Sequence, residues 1–342
     1  MAIMLFPECT LVKGCLLPPH SPILLLLHSS SSSSSSNSLF NDSVIDDDIH
    51  ANGPQYSTSS PWNNTLAVQQ VNDGTVRDCS RKQFLLSTKF RQHVNPLKAQ
   101  FRLPCNLPHN WPQGAYQDCS KPLYLDIGCG KGGFVLKMAA ANENSDLNFL
   151  GLEIRPSVAE YAQTRVLRHY SAAAGRVSFV GCNVNVDLDR LLSLYETAAS
   201  SSTTQQTQAV LQRLVFVSIQ FPDPHFKKRH KKRKVVDDLF VQTVAKHMVP
   251  DDSSIVFLQS DIQEVLDDMR LTFRQHANYF QDTIDNLEEY IPKNPPGIPT
   301  EREVSALEKN LPVFRCFFRR NRVPYSTTTT ASSSSSSIVT QE

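Results

Sequence analysis

From residue 123 onward, short apolar runs alternate with longer amphipathic stretches. The runs have the length of buried strands, whereas the stretches between them have helical spacing. The predicted strands span residues 123–127, 147–153, 176–180, 214–220, 254–259 and 313–318, and the predicted helices end near residues 142, 170, 197, 247, 275 and 307. Strands that alternate with helices predict an α/β fold, with a doubly wound parallel sheet that is covered on both faces.

Both ends of the chain lack this pattern. Residues 29–36 are all serine, and residues 326–337 are almost entirely serine and threonine. Such tracts cannot bury enough apolar surface to offset the entropy that they lose on ordering. The sequence therefore predicts one folded domain, residues 81–322, between a disordered extension, residues 1–80, and a disordered tail, residues 323–342.

The N-terminal extension resembles an organelle transit peptide in composition. Its first forty residues are rich in serine and contain Glu8 as their only acidic residue, although they lack the arginines that such peptides often carry. Its apolar run at residues 22–27 is far shorter than a membrane-spanning helix, and no membrane partner is expected. The alternative is an untargeted disordered extension.

Charge and cysteine content narrow the function classes. The formal net charge is +1, so any polyanion would be held by a local feature, the dense basic run at residues 227–234. The eight cysteines are scattered without a CxxC pair. This disfavours a zinc or other metal site, a CxxC redox motif and a disulfide framework, and it favours a reducing compartment.

The basic run follows a turn that isolates one carboxylate. The apolar strand 214–220 is stopped by Phe-Pro-Asp-Pro at residues 221–224, whose prolines restrict the backbone on both sides of Asp223. A fixed acid at the carboxyl end of a strand, beside a basic run, predicts a small-molecule site next to a bound polyanion. The alternative is an exposed turn followed by a solvated or nuclear-targeting patch.

A glycine-rich loop after the first strand predicts a nucleoside cofactor. Residues 128–133, Gly-Cys-Gly-Lys-Gly-Gly, allow a tight turn and close approach of a cofactor to the backbone. Glu153 ends the second strand, where a carboxylate can accept hydrogen bonds from ribose hydroxyls. Asn183 follows the third strand, where its amide can either bind an adenine edge or cap a turn.

Asp126 favours S-adenosylmethionine over NAD as that cofactor. An acid just before the glycine loop is useful near a sulfonium cation and unhelpful near a pyrophosphate. Lys131 is the only loop residue suited to a phosphate contact, and the chain has no recognisable hydride-transfer residue.

Taken in order, the motifs resemble those of the tRNA (guanine-N7)-methyltransferase family. The matching segments are residues 91–96, 125–133, 151–155, 221–227, 260–261 and 299–303. The resemblance implies a Rossmann-like class I methyltransferase sheet with an antiparallel last strand. It also implies methyl transfer from S-adenosylmethionine to N7 of a guanosine in the variable loop of tRNA. The chain departs from the family in a polar insertion at residues 198–208, predicted to be a mobile surface loop, and in its two ends.

The resemblance also implies roles for individual residues. Cofactor contacts are implied at Gly128, Glu153, Arg155, Asn183 and Val184, with Gln220 close by, and the neighbouring Asp126, Gly130 and Ile154 are further cofactor-binding candidates. Guanosine or tRNA contacts are implied at Asp223, Lys227, Asp261, Thr300 and Glu303.

Asp223 is the catalytic candidate. Guanine N7 has a free lone pair and carries no proton, so its attack on a methyl group needs orientation and in-line approach, and no base is obligatory. A carboxylate can accept hydrogen bonds from guanine N1–H and from the amino group. It also stabilises the positive charge that develops on the base.

The other candidate substrate contacts are also suited to a structural role, which is to cap a helix. Asp261 is equally suited to cap the helix that follows it. Thr300 and Glu303 have the spacing of a Thr-x-x-Glu capping box before the last predicted helix, and a capping role is compatible with substrate contact.

Two other functions are left open by the sequence. A methyltransferase acting on a protein or a small molecule would leave the basic run unexplained. A non-catalytic RNA-binding module is disfavoured by the intact glycine loop, Glu153 and Asp223.

We expect a plastid location, with the mitochondrion or the cytoplasm and nucleus as alternatives, and tRNA as the partner. A WD-repeat partner subunit, as in eukaryotic family members, or none, as in bacterial ones, is compatible with the sequence.

Overall fold

The computed structural model describes residues 94–141, 146–201, 212–225 and 232–326. Several sequence predictions lie outside the described residues: the N-terminal extension, residues 202–208 of the polar insertion, Lys227 with the basic residues up to 231, and the tail beyond residue 326.

In the described part of the chain, seven strands form one mixed sheet. They are β1 (Leu123–Ile127), β2 (Asn148–Glu153), β3 (Val177–Gly181), β4 (Leu214–Gln220), β5 (Ile255–Ser260), β6 (Phe280–Asp282) and β7 (Phe314–Arg320), in the spatial order β3-β2-β1-β4-β5-β7-β6. Strands β1 to β5 are parallel to one another, whereas β7 runs antiparallel to both β5 and β6. This confirms the predicted Rossmann-like class I methyltransferase sheet with a reversed last strand.

Helices connect the strands and cover the sheet. They are α1 (Gly133–Ala141), α2 (Pro156–His169), α3 (Val184–Ser201), α4 (Asp238–His247), α5 (Gln263–Arg274) and α6 (Glu301–Glu308). Apolar side chains of α1 and α2 form one buried cluster against the sheet, and those of α3, α4 and α5 form a second. Side chains of β1 alternate between the two clusters, as the period of a strand requires. The sheet is therefore buried on both faces, as predicted.

Strand order reverses at β1, which lies between β2 and β4. In open α/β sheets this switch point leaves a crevice at the carboxyl ends of the strands, because the connections on its two sides leave in opposite directions. The glycine loop follows β1 and the Asp223 turn follows β4. The fold therefore places the two main sequence motifs at the same crevice.

A lead-in segment, residues 94–122, packs beside this crevice. Trp111 Nε1 donates a hydrogen bond to Ser178 Oγ at 3.3 Å, and Tyr116 Oη donates to the carbonyl of Phe149 at 3.1 Å. Both aromatic side chains belong to the α3–α5 cluster. The lead-in is thus anchored on β2 and β3 before the first strand begins.

Some predicted boundaries were wrong for local physical reasons. The fourth helix was expected from about residue 233 but begins at Asp238, because Asp237 caps it by accepting a hydrogen bond from the Phe240 N–H at 2.8 Å. The predicted Asp261 cap of α5 is also wrong. The position before that helix is held by Ile262, whose N–H donates to Ser260 Oγ at 3.1 Å.

Candidate active site

Two cavities open at the carboxyl ends of β1, β2 and β4. The first, of about 190 Å³, extends towards β3 and is lined by Glu153, Ile154, Asn183 and Val184 among others. The second, of about 610 Å³, extends over the glycine loop towards α6. Residues that line both cavities are Gly128, Arg155, Gln220, Phe221, Pro222 and Asp223. The two cavities are therefore neighbouring parts of one crevice.

The glycine loop presents bare backbone to this crevice. Gly128 and Gly130 have φ angles of 76° and 55°, which residues with a side chain rarely adopt, and a Cβ on either would meet no atom within 4 Å. The N–H groups of Gly128 and Cys129 both donate to the carbonyl of Leu152, at 2.8 and 3.0 Å. The loop is thus tied to the end of β2 and leaves open space in which a ligand can approach.

Glu153 is almost fully engaged by neighbouring groups. It is 4% exposed. Oε1 accepts hydrogen bonds from the Arg155 N–H and Nε, at 3.0 and 2.8 Å, and Oε2 accepts from the Gly130 N–H and Arg155 Nη2, at 3.1 and 3.0 Å. An ionised carboxylate has about four acceptor sites. A ribose can therefore bind here by displacing Arg155 or by sharing its acceptor atoms.

Asp126 is a buried carboxyl group at the floor of the second cavity. Burial raises the pKa of Asp126 to about 7, against the opposing effect of the hydrogen bond that Ser218 Oγ donates at 2.6 Å. The nearby Gln220 amide also lowers this pKa, although its geometry falls short of a hydrogen bond. Asp126 can consequently gain or lose a proton near neutral pH.

Gln220 ends β4 between the two cavities. Its amide nitrogen and oxygen are both buried, and neither has a hydrogen-bond partner within the described residues. Buried polar atoms usually have hydrogen-bond partners. A buried amide donor and acceptor that both lack partners at a cavity wall indicate a ligand that carries both acceptor and donor groups. This arrangement fits a cofactor that carries an amino-acid group.

The Asp223 turn is held in an unusual backbone conformation. Phe221 has a φ angle of 51°, which is costly for a residue with a large side chain, and its N–H donates to the carbonyl of Gln259 at 2.8 Å. The turn leaves Asp223 exposed at the junction of the two cavities. Asp223 also borders a third cavity that is lined by α5. The hydrogen bonds to Glu153 are the main cause that raises the pKa of Arg155, against the effect of burial, and the negative charges of Glu153 and Asp223 raise it further.

Asn183 links the first cavity to the lead-in segment. Its Nδ2 donates to the carbonyl of Phe101 at 2.9 Å, and its Oδ1 accepts from the Asn185 N–H at 3.3 Å. The predicted turn-capping role is present, and the side chain still lines the cavity. Val184 begins α3 beside it and is buried.

Of the predicted substrate contacts Asp261, Thr300 and Glu303, the first two line the second cavity and the third does not. Asp261 lines the second cavity and accepts a hydrogen bond from Arg302 Nη2 at 2.5 Å. Thr300 lines the same cavity and caps α6, since its Oγ1 accepts from the Glu303 N–H at 3.1 Å. Arg302 is a cavity residue that the sequence analysis did not single out, although it lies inside the 299–303 motif.

Glu303 is enclosed within the protein. It is 2% exposed, and its carboxylate accepts hydrogen bonds from Arg315 Nη2 at 2.7 Å, Asn294 Nδ2 at 2.7 Å and Gln259 Nε2 at 3.0 Å. The second half of the predicted capping box is therefore not made. Instead, the Glu303 side chain ties α6 to the ends of β5 and β7.

Lys227 lies outside the described residues. Among the residues that the structure describes, no group of three or more His, Cys, Asp or Glu side chains is arranged to hold a metal ion. In the same ranges, no helix combines the length and apolar character that a membrane crossing requires.

Comparisons with known proteins agree with this geometry. The family model described as "Putative methyltransferase" matches residues 120–316. A tRNA (guanine-N(7)-)-methyltransferase of Synechococcus elongatus is 39% identical over 240 residues, which cover 68% of this chain and 96% of the relative. One of Microcystis aeruginosa is 39% identical over 236 residues, which cover 69% of this chain and 99% of the relative.

Solved structures add no further argument. A putative methyltransferase from Thermoplasma acidophilum matches 60% of this chain and 70% of its own, with 12% identity and a TM-score of 0.33. The fold assignment rests on the strand order and directions given above. With sequence similarity that spans the glycine loop, Glu153 and the Asp223 turn, the chain belongs to the tRNA (guanine-N7)-methyltransferase family.

Proposed function

We propose that this protein transfers a methyl group from S-adenosylmethionine to N7 of a guanosine in the variable loop of tRNA. The observation that carries the proposal is the position of Asp223, an exposed carboxylate on a constrained turn where the two cavities meet. Two relatives that match over most of their length are named as methyltransferases that act on guanine N7 of tRNA, which supports the proposal.

The described residues fit the cofactor. The open backbone of Gly128 and Gly130, the unpaired amide of Gln220 and the buried carboxyl of Asp126 offer complementary groups to an amino-acid chain that ends in a cationic sulfur. On the other side of the crevice, the adenosine would contact Glu153, Ile154, Arg155, Asn183 and Val184. When bound, the cofactor supplies an activated methyl group on its sulfonium centre.

The protein's part in the reaction is chiefly orientation. Asp223 accepts hydrogen bonds from guanine N1–H and the amino group, which turns N7 towards the glycine-loop side of the crevice. Methylation of N7 places positive charge on the base, and the same carboxylate stabilises that charge as it develops. Because N7 carries no proton, no residue has to act as a base.

The tRNA would lie along the surface beyond Asp223. The second cavity is bordered by Lys131 and Arg302, both exposed, and Thr300 and Asp261 lie beside them. The basic run 227–234 follows the turn directly in sequence, with Lys227 nearest to it. Cations at these places suit a phosphate backbone, which supplies much of the affinity for nucleic acids.

A plastid location and the subunit arrangement are further parts of the proposal. The serine-rich first forty residues, with Glu8 as their only acid, support plastid import, and a fluorescent fusion of residues 1–80 that stays in the cytosol would refute it. Two relatives of 39% identity come from Synechococcus elongatus and Microcystis aeruginosa, which are bacteria. This favours activity without a WD-repeat partner. Methylation by the purified chain alone tests that arrangement.

The decisive test uses the recombinant chain, labelled S-adenosylmethionine and unmodified tRNA transcripts. We expect label in tRNA as 7-methylguanosine at one variable-loop position, and none when that guanosine is replaced by adenosine. Protein and small-molecule acceptors are assayed in parallel. Label in one of those acceptors, with none in tRNA, would replace the proposal by the alternative methyltransferase. Failure to bind S-adenosylmethionine would favour a non-catalytic RNA-binding module.

A further inference from the structure

The Asp223 turn and the start of α6 are both attached to the end of β5. The N–H of Phe221, where the turn begins, donates to the carbonyl of Gln259 at 2.8 Å. The side chain of the same Gln259 reaches α6, where its Nε2 donates to Glu303 Oε2 at 3.0 Å. The second cavity is lined by the turn and by residues 300–302, the cap and first residues of that helix. Gln259 therefore connects two walls of the cavity.

Gln259 belongs to a closed ring of three buried side chains. Its Oε1 accepts a hydrogen bond from Arg315 Nε at 2.8 Å, and Arg315 Nη2 donates to Glu303 Oε1 at 2.7 Å. Gln259, Arg315 and Glu303 are 0%, 4% and 2% exposed. Hydrogen bonds that are shielded from water are stronger than those at the surface. The ring is thus a firm attachment for the Glu303 side chain.

The sheet does not depend on this ring. Gln259 lies directly opposite Arg315 in an antiparallel ladder that pairs residues 255–260 of β5 with residues 314–319 of β7. The backbone of the two strands is therefore held together without the side-chain ring. What the ring adds is the attachment of α6, through Glu303.

Helix α6 has little apolar surface with which to hold its position. Of its eight residues, Glu303 and Ala306 are buried, whereas Val304 and Leu307 are 40% and 53% exposed. Burial of one alanine contributes little to the packing of a helix, since its side chain is a single methyl group. The position of α6 therefore depends strongly on the buried carboxylate of Glu303.

An ion pair provides a second, weaker attachment of the helix start. Arg302 Nη2 lies 2.5 Å from Asp261 Oδ2, just beyond β5. The Arg302 side chain is 55% exposed, and exposed ion pairs typically contribute less than about 1 kcal/mol. The buried ring is consequently the stronger link between α6 and β5, and Gln259 extends that link to the Asp223 turn.

We propose that Gln259 is a positioning residue for methyl transfer. It holds the Asp223 turn through its carbonyl and α6 through Glu303, and so fixes the separation at which one tRNA contacts both. The guanine bonds to Asp223 while the adjoining backbone lies against residues 300–302. In-line transfer is sensitive to alignment, and a misplacement of about 1 Å can slow a reaction about 100-fold. This inference deepens the proposed function and rests on it.

The first experiment uses Gln259→Leu, which has a side chain of similar size and removes both hydrogen bonds of the amide. Single-turnover methylation of tRNA is measured at saturating cofactor over a range of tRNA concentrations. We expect the rate at saturating tRNA to fall about 10- to 100-fold. The calorimetric affinity for S-adenosylhomocysteine should not change, because Glu153 and the glycine loop lie on the other side of the crevice.

Asn148→Leu is the matched control. Asn148 is also fully buried, and its amide donates to the carbonyl of Asp118 and to Tyr195 Oη at the start of β2, away from the crevice. Both variants should have a lower urea midpoint than the wild type. At a temperature where both are folded, Asn148→Leu should methylate tRNA at the wild-type rate. Equal rates for the two variants would show that Gln259 acts through stability alone, and would overturn the proposal.

A second variant decides the question if Gln259→Leu does not fold. Gln259→Glu combined with Glu303→Gln exchanges the amide and the carboxylate, and it keeps one negative charge beside Arg315. The three hydrogen bonds of the ring can then form again, so most of the rate that Glu303→Gln alone loses should return. A double variant as slow as Glu303→Gln would mean that the Glu303 carboxylate is required for itself, and would overturn the role of Gln259.

The wild type separates failure of this inference from failure of the proposed function. If the wild-type chain binds S-adenosylmethionine but labels no tRNA, the proposed function fails and this inference fails with it. If the wild type methylates tRNA and Gln259→Leu is as active as Asn148→Leu, this inference alone is wrong.

Discussion

Arg155 binds Glu153 through a two-pronged ion pair, with Nε 2.8 Å from Oε1 and Nη2 3.0 Å from Oε2. Both residues line the first cavity, and Arg155 borders the second as well. The pair holds the carboxylate in one orientation beside the glycine loop. A ribose that binds Glu153 must also compete with the Arg155 guanidinium for the carboxylate oxygens. Removing the carboxylate therefore affects both the ribose contact and the position of Arg155.

Glu153→Ala should weaken cofactor binding. Each hydrogen bond to a charged group contributes about 1.5–3 kcal/mol, so loss of one such contact lowers the affinity for S-adenosylhomocysteine roughly 10- to 150-fold. Isothermal titration calorimetry measures the change. Glu160→Ala, which removes an exposed carboxylate from α2, is the matched control and should bind normally. Equal affinities for the two variants would mean that the ribose is held elsewhere.

Asp223→Asn should abolish most turnover and leave cofactor affinity nearly intact. The amide presents a donor where guanine N1–H and its amino group need acceptors, and it no longer stabilises positive charge on the base. Single-turnover methylation of tRNA, together with calorimetry for the cofactor, separates the two effects. Asp146→Asn, which changes a carboxylate at the opposite edge of the sheet, should retain activity. A fully active Asp223→Asn variant would exclude the proposed role.

The sheet could be predicted from the sequence because its central strands are short, fully buried apolar runs. β1 and β5 are buried at every position. β6 was missed, since it has three residues and only Phe280 is buried. It exists because β7 offers an edge with which to pair. The last two residues of β7 were also missed. Arg320 is fully buried against Tyr279 and Ala245, and no local pattern predicts a buried arginine.

Asp126→Asn should make stability less dependent on pH. Burial raises the pKa of Asp126 from 3.8 to about 7. The folded chain therefore holds a proton that the unfolded chain releases, and stability falls as the pH rises through this window, with the full penalty above pH 7. The variant keeps an acceptor for Ser218 and carries no charge. Thermal unfolding should show a larger gain over the wild type at pH 8 than at pH 5.

The same residue should make cofactor binding depend on pH. A cationic sulfonium favours the ionised form of Asp126, so the affinity of the wild type for S-adenosylmethionine should rise between pH 6 and pH 8. Binding of S-adenosylhomocysteine, whose sulfur is neutral, should change less. In Asp126→Asn this difference between the two ligands should disappear. Parallel pH profiles of the wild type and the variant would show that Asp126 does not face the sulfur.

Glu303→Ala should destabilise the fold. Removal of one partner from a buried ion pair leaves Arg315 uncompensated, at a cost of about 3–5 kcal/mol. Urea unfolding should show a lower midpoint with an unchanged slope. Glu308→Ala, at the exposed end of the same helix, should stay within about 0.5 kcal/mol of the wild type. A stable Glu303→Ala variant that lost tRNA binding would instead support the substrate contact that the family resemblance implies.

The site could be predicted where its residues lie close together in sequence. The glycine loop and the Asp223 turn follow their strands directly, so the sheet brings them together. Contacts between distant segments could not be predicted. Arg302 binds Asp261, and Asn183 binds the lead-in at Phe101. In each case the partner is selected by how α6 or the lead-in packs, which depends on the whole fold.

The basic run should bind tRNA phosphates. Its first cation, Lys227, comes four residues after Asp223, and Lys232, the first of the run that the structure describes, is exposed. Simultaneous replacement of Lys228, Arg229, Lys231 and Lys232 by alanine should weaken all tRNAs alike, because phosphate contacts carry no sequence information. The slope of log affinity against log salt should fall in magnitude by about 0.7–0.9 for each lost contact.

The control for this prediction removes cations from the opposite edge of the sheet. Arg168 lies at the distal end of α2, and Arg322 pairs with Asp252 beside the start of β5. Changing both to alanine should leave affinity and salt slope unaltered, since they lie far from the crevice. If the quadruple variant behaves like this control, the basic run faces solvent. The tRNA path would then have to follow the lead-in near Arg91 and His93, and substitutions there would have to produce the missing change in slope.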